Sequence, residues 1–421
     1  MAMNAFNHIS LSAMAAFLLL ANRAVADEGS DATASLSGQA NLVEQYHPAF
    51  HARYSGANSL DPGSRGDETF ALSLTAGLNL WDGATAYASP EIDQGFGLSR
   101  TVGLAGFPNG EAYRLGSSVP YFRLQRLYLQ QSFGGDSLVI TAGKFAVTDI
   151  FDTNSYAHDP ARDFLNWAII DSGAFDYAAD AWGFTYGIAA EWTRDWWTLR
   201  TGLFDLSRFP NTTALVRGFG QYEIVSEFEA RHEIAGRPGK VKLLGFVNRG
   251  RMGSYMDAIA LAAATNAPPD TALVRRPAFR PGAALNIEQQ VVENLGAFAR
   301  LSWNDGSEEA FEFTEINRSL AAGLVLKGAG WSRADDAIGL AAVVNEISRP
   351  AREYFAAGGL GILIGDGGLR YGTENILESY YKAVVMRRVA VTFDDQFIAN
   401  PAYNRGRGPV HVLSLRLHTE F

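Results

Sequence analysis

Two stretches concentrate the side chains that could do chemistry. Residues 94–120 carry Glu111, Tyr113 and Arg114 and lead into Tyr121, Arg123 and Arg126, while residues 148–179 carry Asp149, Asp152, Asp159, Arg162, Asp163, Asp171, Asp176 and Tyr177. Bases dominate the exit from the first stretch and acids fill the second. Set across a narrow wet passage, opposed guanidinium and carboxylate groups would impose a transverse field and offer hydrogen bonds of both polarities. A neutral polyol suits that mixture, because its hydroxyls can donate to Asp and accept from Arg while its C–H faces stack on aromatic rings. Taken singly, each charge is equally readable as a solvated loop residue or half of a loop-to-wall ion pair.

Enzymatic chemistry finds no comparable cluster. There is no GxSxG, HExxH or GxxxxGK, and the seven His show no paired ligand spacing. No catalytic residue, cofactor or metal site is therefore expected. His158, in Tyr156-Ala157-His158-Asp159-Pro160, reads as a turn residue ahead of the Asp-Pro break. Gly95-Phe96-Gly97 lacks the strand–helix context of a dinucleotide fingerprint. Cysteine is absent, which removes disulfides, thiolate metal sites and a Cys nucleophile. The formal charge of -10 argues against a nucleic-acid partner.

The elements that must position these residues read as strands. Residues 69–81 place Phe70, Leu72, Leu74, Ala76, Leu78 and Leu80 on one side and Thr69, Ser73, Thr75 and Asn79 on the other. The alternation recurs at Trp182, Phe184, Tyr186, Ile188, Ala190, Trp192 and at Ala297, Ala299, Leu301, Trp303. It also closes the chain, where Leu413, Leu415, Leu417, Thr419 and Phe421 oppose Val412, Ser414, Arg416, His418 and Glu420. Runs of this length, greasy on one side, suit tilted strands in a bilayer. No segment after the N-terminal leader supplies the ~18 consecutive apolar residues of a spanning helix.

Connection lengths alternate along the chain. Short turns fall at 82–83, 134–136, 194–195, 234–238, 293–294, 328–336 and 387–388, with longer segments between them, of which only 305–309 is brief. With 41–54 as the first strand, the count is sixteen, an even number with both ends on the periplasmic side. This parity assigns residues 360–364 (LGILI) to an outer loop, although they look strand-like. In the fourth strand the apolar side switches between Leu124 and Leu127, as a β-bulge would cause. Phase alone leaves open whether Arg123 or Arg126 faces inward. Residues 164–170 (FLNWAII) are too short to span and read as a packed helical turn that anchors its loop.

The first residues add a compartment. Residues 11–21 (LSAMAAFLLLA) have the length of a signal-peptide apolar core, and Ala24-Val25-Ala26 supplies small residues at cleavage spacing. The expected organisation is a signal peptide over 1–26, a flexible mature N-terminus over 27–38 and a single outer-membrane barrel over 39–421. Removing Arg23, the one charged residue of 1–26, takes the net charge from -10 to -11. A soluble β-sandwich also has alternating strands. The leader, the connection pattern, the terminal Phe421 and the outward aromatics favour an all-β transmembrane antiparallel barrel instead.

At the loops the chain resembles the carbohydrate-selective porins, the OprB family of Gram-negative outer membranes. The resemblance rests on Gly106-Phe107-Pro108-Asn109-Gly110-Glu111-Ala112-Tyr113, Tyr121-Phe122-Arg123-Leu124, Gly143-Lys144-Phe145 and Asp149-Ile150-Phe151-Asp152. It continues through Phe164-Leu165-Asn166-Trp167, Gly173-Ala174-Phe175-Asp176-Tyr177 and Asn400-Pro401-Ala402-Tyr403-Asn404. It implies passive diffusion of mono- or small oligosaccharides through a lumen narrowed by inward loops. It places Arg114, Arg123, Arg126, Glu111, Asp149, Asp152 and Asp176 at the constriction, with Tyr113 beside them. Implied partners are sugars as solutes, outer-membrane lipid and the barrel assembly machinery, with the barrel a monomer or a homotrimer. The competing readings are a general diffusion porin and a loop-closed barrel serving as a receptor or structural protein.

Overall fold

In the computed structural model, the described residues are 33–421 apart from 96, 99–102, 112–116 and 313–314. Sixteen antiparallel strands close into a barrel in which each strand pairs with its sequence neighbours and β1 pairs with β16. In order they are β1 Ala34–His47, β2 Arg65–Trp81, β3 Ala84–Gly95, β4 Ser117–Phe133, β5 Leu138–Phe145, β6 Thr185–Thr193, β7 Trp197–Asp205 and β8 Tyr222–Ile234. The second half comprises β9 Arg237–Met252, β10 Arg276–Val292, β11 Leu295–Asn304, β12 Arg318–Lys327, β13 Ala337–Glu346, β14 Glu374–Met386, β15 Val389–Ala399 and β16 Val410–Glu420. The seam runs from Gln39 opposite Glu420 to Tyr46 opposite Leu413. Closure leaves no unpaired edge in lipid.

Two boundaries differ from the sequence reading. The first strand is 34–47 rather than 41–54, so residues 34–38 belong to the sheet and not to a flexible lead-in. Pairing decides this: Ala34 lies opposite Leu78 and Ser35 opposite Gly77 on the long β2. The connection after β11 spans 305–317 rather than 305–309, because the chain turns into the barrel before β12. The remaining short turns fall as expected, and 360–364 lies in the loop between β13 and β14.

The outer wall is apolar, with Phe393, Leu413 and Leu415 at 61%, 46% and 42% exposure. In an outer-membrane barrel these faces meet acyl chains. The inside is not an open pipe. The connection between β5 and β6, residues 146–184, folds into the lumen and buries Phe164, Leu165, Ile169, Ala178 and Ala179 completely. Its α-helical turn, α1 (Trp167–Ile170), starts where the Asn166 side chain accepts a hydrogen bond from the Ala168 N–H at 3.0 Å. Phe107 stacks on Trp167 with centroids 5.0 Å apart, so the 103–111 segment packs against the same plug.

Carboxylates on the wall hold this inserted backbone. Glu378 of β14 accepts from the N–H groups of Leu165 and Asn166 at 2.5 and 3.0 Å, and Glu374 from those of Ala105 and Gly106 at 3.0 and 2.7 Å. Glu288 of β10 binds Ser155 through both N–H and hydroxyl, at 2.7 and 2.8 Å. Guanidinium groups take the carbonyls. Arg300 of β11 donates to Ile169 and Ala157, both at 2.7 Å, and Arg416 of β16 to Pro160 and, at 2.9 Å, to Asp163. An irregular segment inside a barrel has orphan backbone groups, and these charged side chains satisfy them. Arg416 is thus inward-facing as read, yet it grips the loop rather than lining a free mouth.

Candidate functional site

The passage beside the plug is built on β3 and β4. Between these strands the register shifts: Arg126 lies opposite Ser89, but Leu124 lies opposite Pro90, so Gln125 is an extra residue. Pro90 has no N–H to give to the ladder, which makes this a favourable place for a bulge. Skipping one residue restores phase, and both Arg123 and Arg126 point into the lumen. Leu124 and Leu127 remain outside, at 37% and 53% exposure. The alternative left open by the alternation therefore resolves to both arginines.

Each arginine has its own acidic partner. Arg126 forms a fork to Asp149, Nε to Oδ2 at 2.7 Å and Nη2 to Oδ1 at 2.6 Å, with both side chains about 30% exposed to the lumen. Asp149 is itself placed by the Ala146 N–H, which donates to its Oδ2 at 3.0 Å where the loop leaves β5. Arg123 lies 2.8 Å from Glu91 and 2.6 Å from Asp93, both on β3. Among the described residues its Nη1 donates to no acceptor. That nitrogen is buried, so its desolvated N–H groups favour holding both β3 acids close to the guanidinium.

Aromatic rings form the other side. The Arg123 guanidinium lies 5.6 Å from the Trp182 ring and 5.8 Å from Phe184, and that of Arg126 lies 5.0 Å from Phe184. The sequence alternation groups Trp182 and Phe184 with the outward Tyr186 and Ile188. They turn inward because β6 begins only at Thr185 and Gly183 adopts a φ of 94°, so the two rings are not in the sheet. The cavity that these arginines and rings line has a volume of about 360 Å³ and also touches Glu111, Asp159, His158 and Tyr177. That is at the low end of small-molecule pockets, ~300–1,000 Å³, a size for a small sugar rather than a polymer.

The local field is acidic. Glu111 sits near Asp159 and Glu91, and burial together with these two charges pushes its carboxyl up to about 8. His158, 3.8 Å from Asp171, is held below the usual histidine range by burial and by Arg300.

The predicted residues separate into groups. Glu111, Arg123, Arg126 and Asp149 meet at the passage. Asp152 and Asp176 do not. Asp152 is fully buried and accepts from the Ser172 N–H at 2.5 Å and the Asn286 amide at 2.8 Å, with Arg300 at 3.7 Å. Asp176 accepts from the N–H groups of Phe311 and Glu312 at 2.9 and 2.8 Å and pairs with Arg280 at 3.1 Å. Both hold loops together away from the water path. Tyr113 and Arg114 lie outside the described residues. Glu91, Asp93, Trp182 and Phe184 are absent from the sequence-derived set. The acids had a usable signal, since Glu91 and Asp93 alternate with Pro90 and Ile92, a polar face too charged for lipid. Among the described residues no group of three or more His, Asp and Glu could hold a metal ion.

Comparison with known proteins places this geometry. A family model described as carbohydrate-selective porin, OprB family, matches residues 57–421. The high-pH structure of Pseudomonas putida OprB superposes with a TM-score of 0.74 at 17% identity, covering 92% of this chain and 94% of that one. The low-pH structure of Pseudomonas putida OprB gives 0.53 at 14%, covering 92% and 93%. The outer membrane channel DcaP of Acinetobacter baumannii gives 0.54 at 12%, covering 94% and 100%. At these identities the shared property is the fold. No curated protein sequence matches the chain.

Proposed function

Since the chain belongs to the carbohydrate-selective porins of the OprB family, an outer-membrane channel for carbohydrates, we propose that small neutral sugars are selected in the passage lined by the β3–β4 arginines and the Trp182 and Phe184 rings. The observation that carries this reading is the pair of guanidinium groups, each tied to an acid and each facing an aromatic ring. A tied guanidinium is rigid and locally neutralised. It offers directed hydrogen bonds without the net charge that would favour an ion over a polyol. The rings supply an apolar face for sugar C–H groups. Selection then arises from matching hydroxyls to fixed donors and acceptors, and transport runs down the gradient with no bond made or broken.

The same reading assigns residues 1–26 to an export signal removed before Asp27, and assigns Phe421 to recognition by the assembly machinery. Its test is liposome swelling with purified protein. Monosaccharides should enter several-fold faster than amino acids of comparable mass. Size-ordered entry without sugar preference would make the chain a general diffusion porin. Absence of swelling with every solute would make it a closed barrel with a receptor or structural role.

A further inference from the structure

At the extracellular rim a second feature lies outside the sugar path. Loop 206–221 covers the ends of β9 and β10, and a groove of about 510 Å³ opens between them, lined by Arg208, Arg249 and Arg251 with Phe209, Val216 and Pro277. The short β8–β9 turn at 235–236 is periplasmic, so Arg249 and Arg251 sit at the opposite end of β9. They share strand phase with Leu243, 59% exposed on the outer wall, and Arg249 pairs laterally with Tyr222 and with Phe279, itself 60% exposed. The groove therefore faces outward, directly above wall that meets acyl chains.

Its charge is unbalanced. No Asp or Glu lines it, and among the described residues none of the three arginines forms an ion pair. The same holds for Arg217, whose guanidinium lies 6.0 Å over the outward ring of Tyr186. Nearby cations are neutralised, Arg275 by Glu309 at 2.7 Å and Arg276 by Asp257 at 2.6 Å. So are those of another rim groove, where Arg318 and Arg352 each lie 3.9 Å from Glu346 and Arg349 lies 2.8 Å from Glu353. A chain with a net charge of -10 thus leaves these arginines uncompensated, as it does Arg53, Arg370 and Arg405 in other outer loops, but here they lie directly above apolar wall. Arg249 donates to the Gly220 carbonyl at 3.3 Å and Arg251 to that of Arg275 at 3.1 Å, while Arg208 lies 5.7 Å over Phe209. Each guanidinium is oriented, yet retains most of its five donors.

We propose that this groove binds the phosphorylated headgroup of an outer-leaflet lipid, with the acyl chains lying along Val247 and Phe279. Arginine forks match phosphate oxygens two at a time. A free phosphate would gain nothing from the apolar strip beneath, whereas a lipid uses both. The occupant is thus anionic at the rim and greasy below it.

Native mass spectrometry of the detergent-purified barrel tests this with diphosphoryl lipid A, its dephosphorylated form and inorganic phosphate as probes. The diphosphoryl lipid should stay bound, the dephosphorylated form should not, and millimolar phosphate should not displace it. Variant R249E/R251E should bind at least about tenfold more weakly, a change of the size expected for losing charge-assisted contacts. R208E, on an exposed loop side chain, should weaken binding in the same direction, and R318E in the paired groove should leave it unchanged. Heat-modifiable mobility checks that each barrel is folded. Equal binding by wild type and both groove variants, equal binding of the dephosphorylated lipid, or displacement by phosphate would each overturn the assignment.

Discussion

Arg126 and Arg300 are the same side chain on the same inner wall, yet they do different work. Arg126 is about 30% exposed, forks onto Asp149 and lies 5.0 Å from the Phe184 ring. Arg300 is 2% exposed and spends its donors on the carbonyls of Ile169 and Ala157. The acids divide likewise: Asp149 and Glu91 face the passage, whereas Glu378 and Glu374 accept from loop N–H groups. A lumen rich in charge is thus two structures. One is a recognition surface on β3 and β4, and the other is a set of clamps, mostly on β10 to β16, that keeps the inserted segment 146–184 from leaving the barrel as a floppy loop. What separates them is whether the partner is a side chain with water beside it or a backbone group that has no other partner.

The largest effects should come from the clamps. Arg300→Ala leaves two buried carbonyls unpaired and Asp152 without its cation, a loss of the order of 3–5 kcal/mol. The plug should loosen, raising single-channel conductance several-fold and abolishing sugar preference in planar bilayers. A variant with wild-type conductance would place Arg300 outside the clamp set. Glu378→Ala should act in the same direction, since the Leu165 and Asn166 N–H groups lose their acceptor.

Passage residues should show the converse. Arg126→Ala is expected to weaken sugar block of ion current by about tenfold, as for one charge-assisted contact of ~1.5–3 kcal/mol, while the heat-modifiable barrel persists. If conductance rose as in Arg300→Ala, the division drawn between the two arginines would collapse. Smaller again is Asp149→Asn, which frees the Arg126 charge and should shift reversal potentials toward anions. Asp176→Asn, by contrast, should lower the thermal midpoint without moving selectivity.

The smallest effect should be a titration. With its carboxyl pushed up to about 8, Glu111 is mostly protonated at pH 7 and ionised at pH 9. Raising pH adds one negative charge beside the passage, so the cation-to-anion permeability ratio should climb between pH 7 and 9. In Glu111→Gln that slope should vanish; its persistence would assign the titration to another group.

Much of the architecture was legible because strand periodicity is local. Phe70 to Leu80 and Leu413 to Phe421 reveal their faces within one segment, connection lengths reveal the parity, and parity alone placed 360–364 in a loop. The site was only half legible. Glu111, Arg123, Arg126 and Asp149 were recognisable by type and by resemblance, but Asp152 and Asp176 have the same type and context and turn out to be clamps. Trp182 and Phe184 were misassigned because a strand's alternation continues in the sequence past the residue where pairing stops.

The sequence by itself determined a sixteen-stranded barrel, its inside and outside, and the two stretches that fill it, since each follows from a repeat of two residues or from chain order. Only the tertiary structure decided which charges meet a solute. Glu378 finds its N–H partner 213 residues away, and no pattern along the chain encodes that meeting. It also decided the fourth strand, where a single extra residue at Gln125 brings two arginines to one side that alternation alone could not place together.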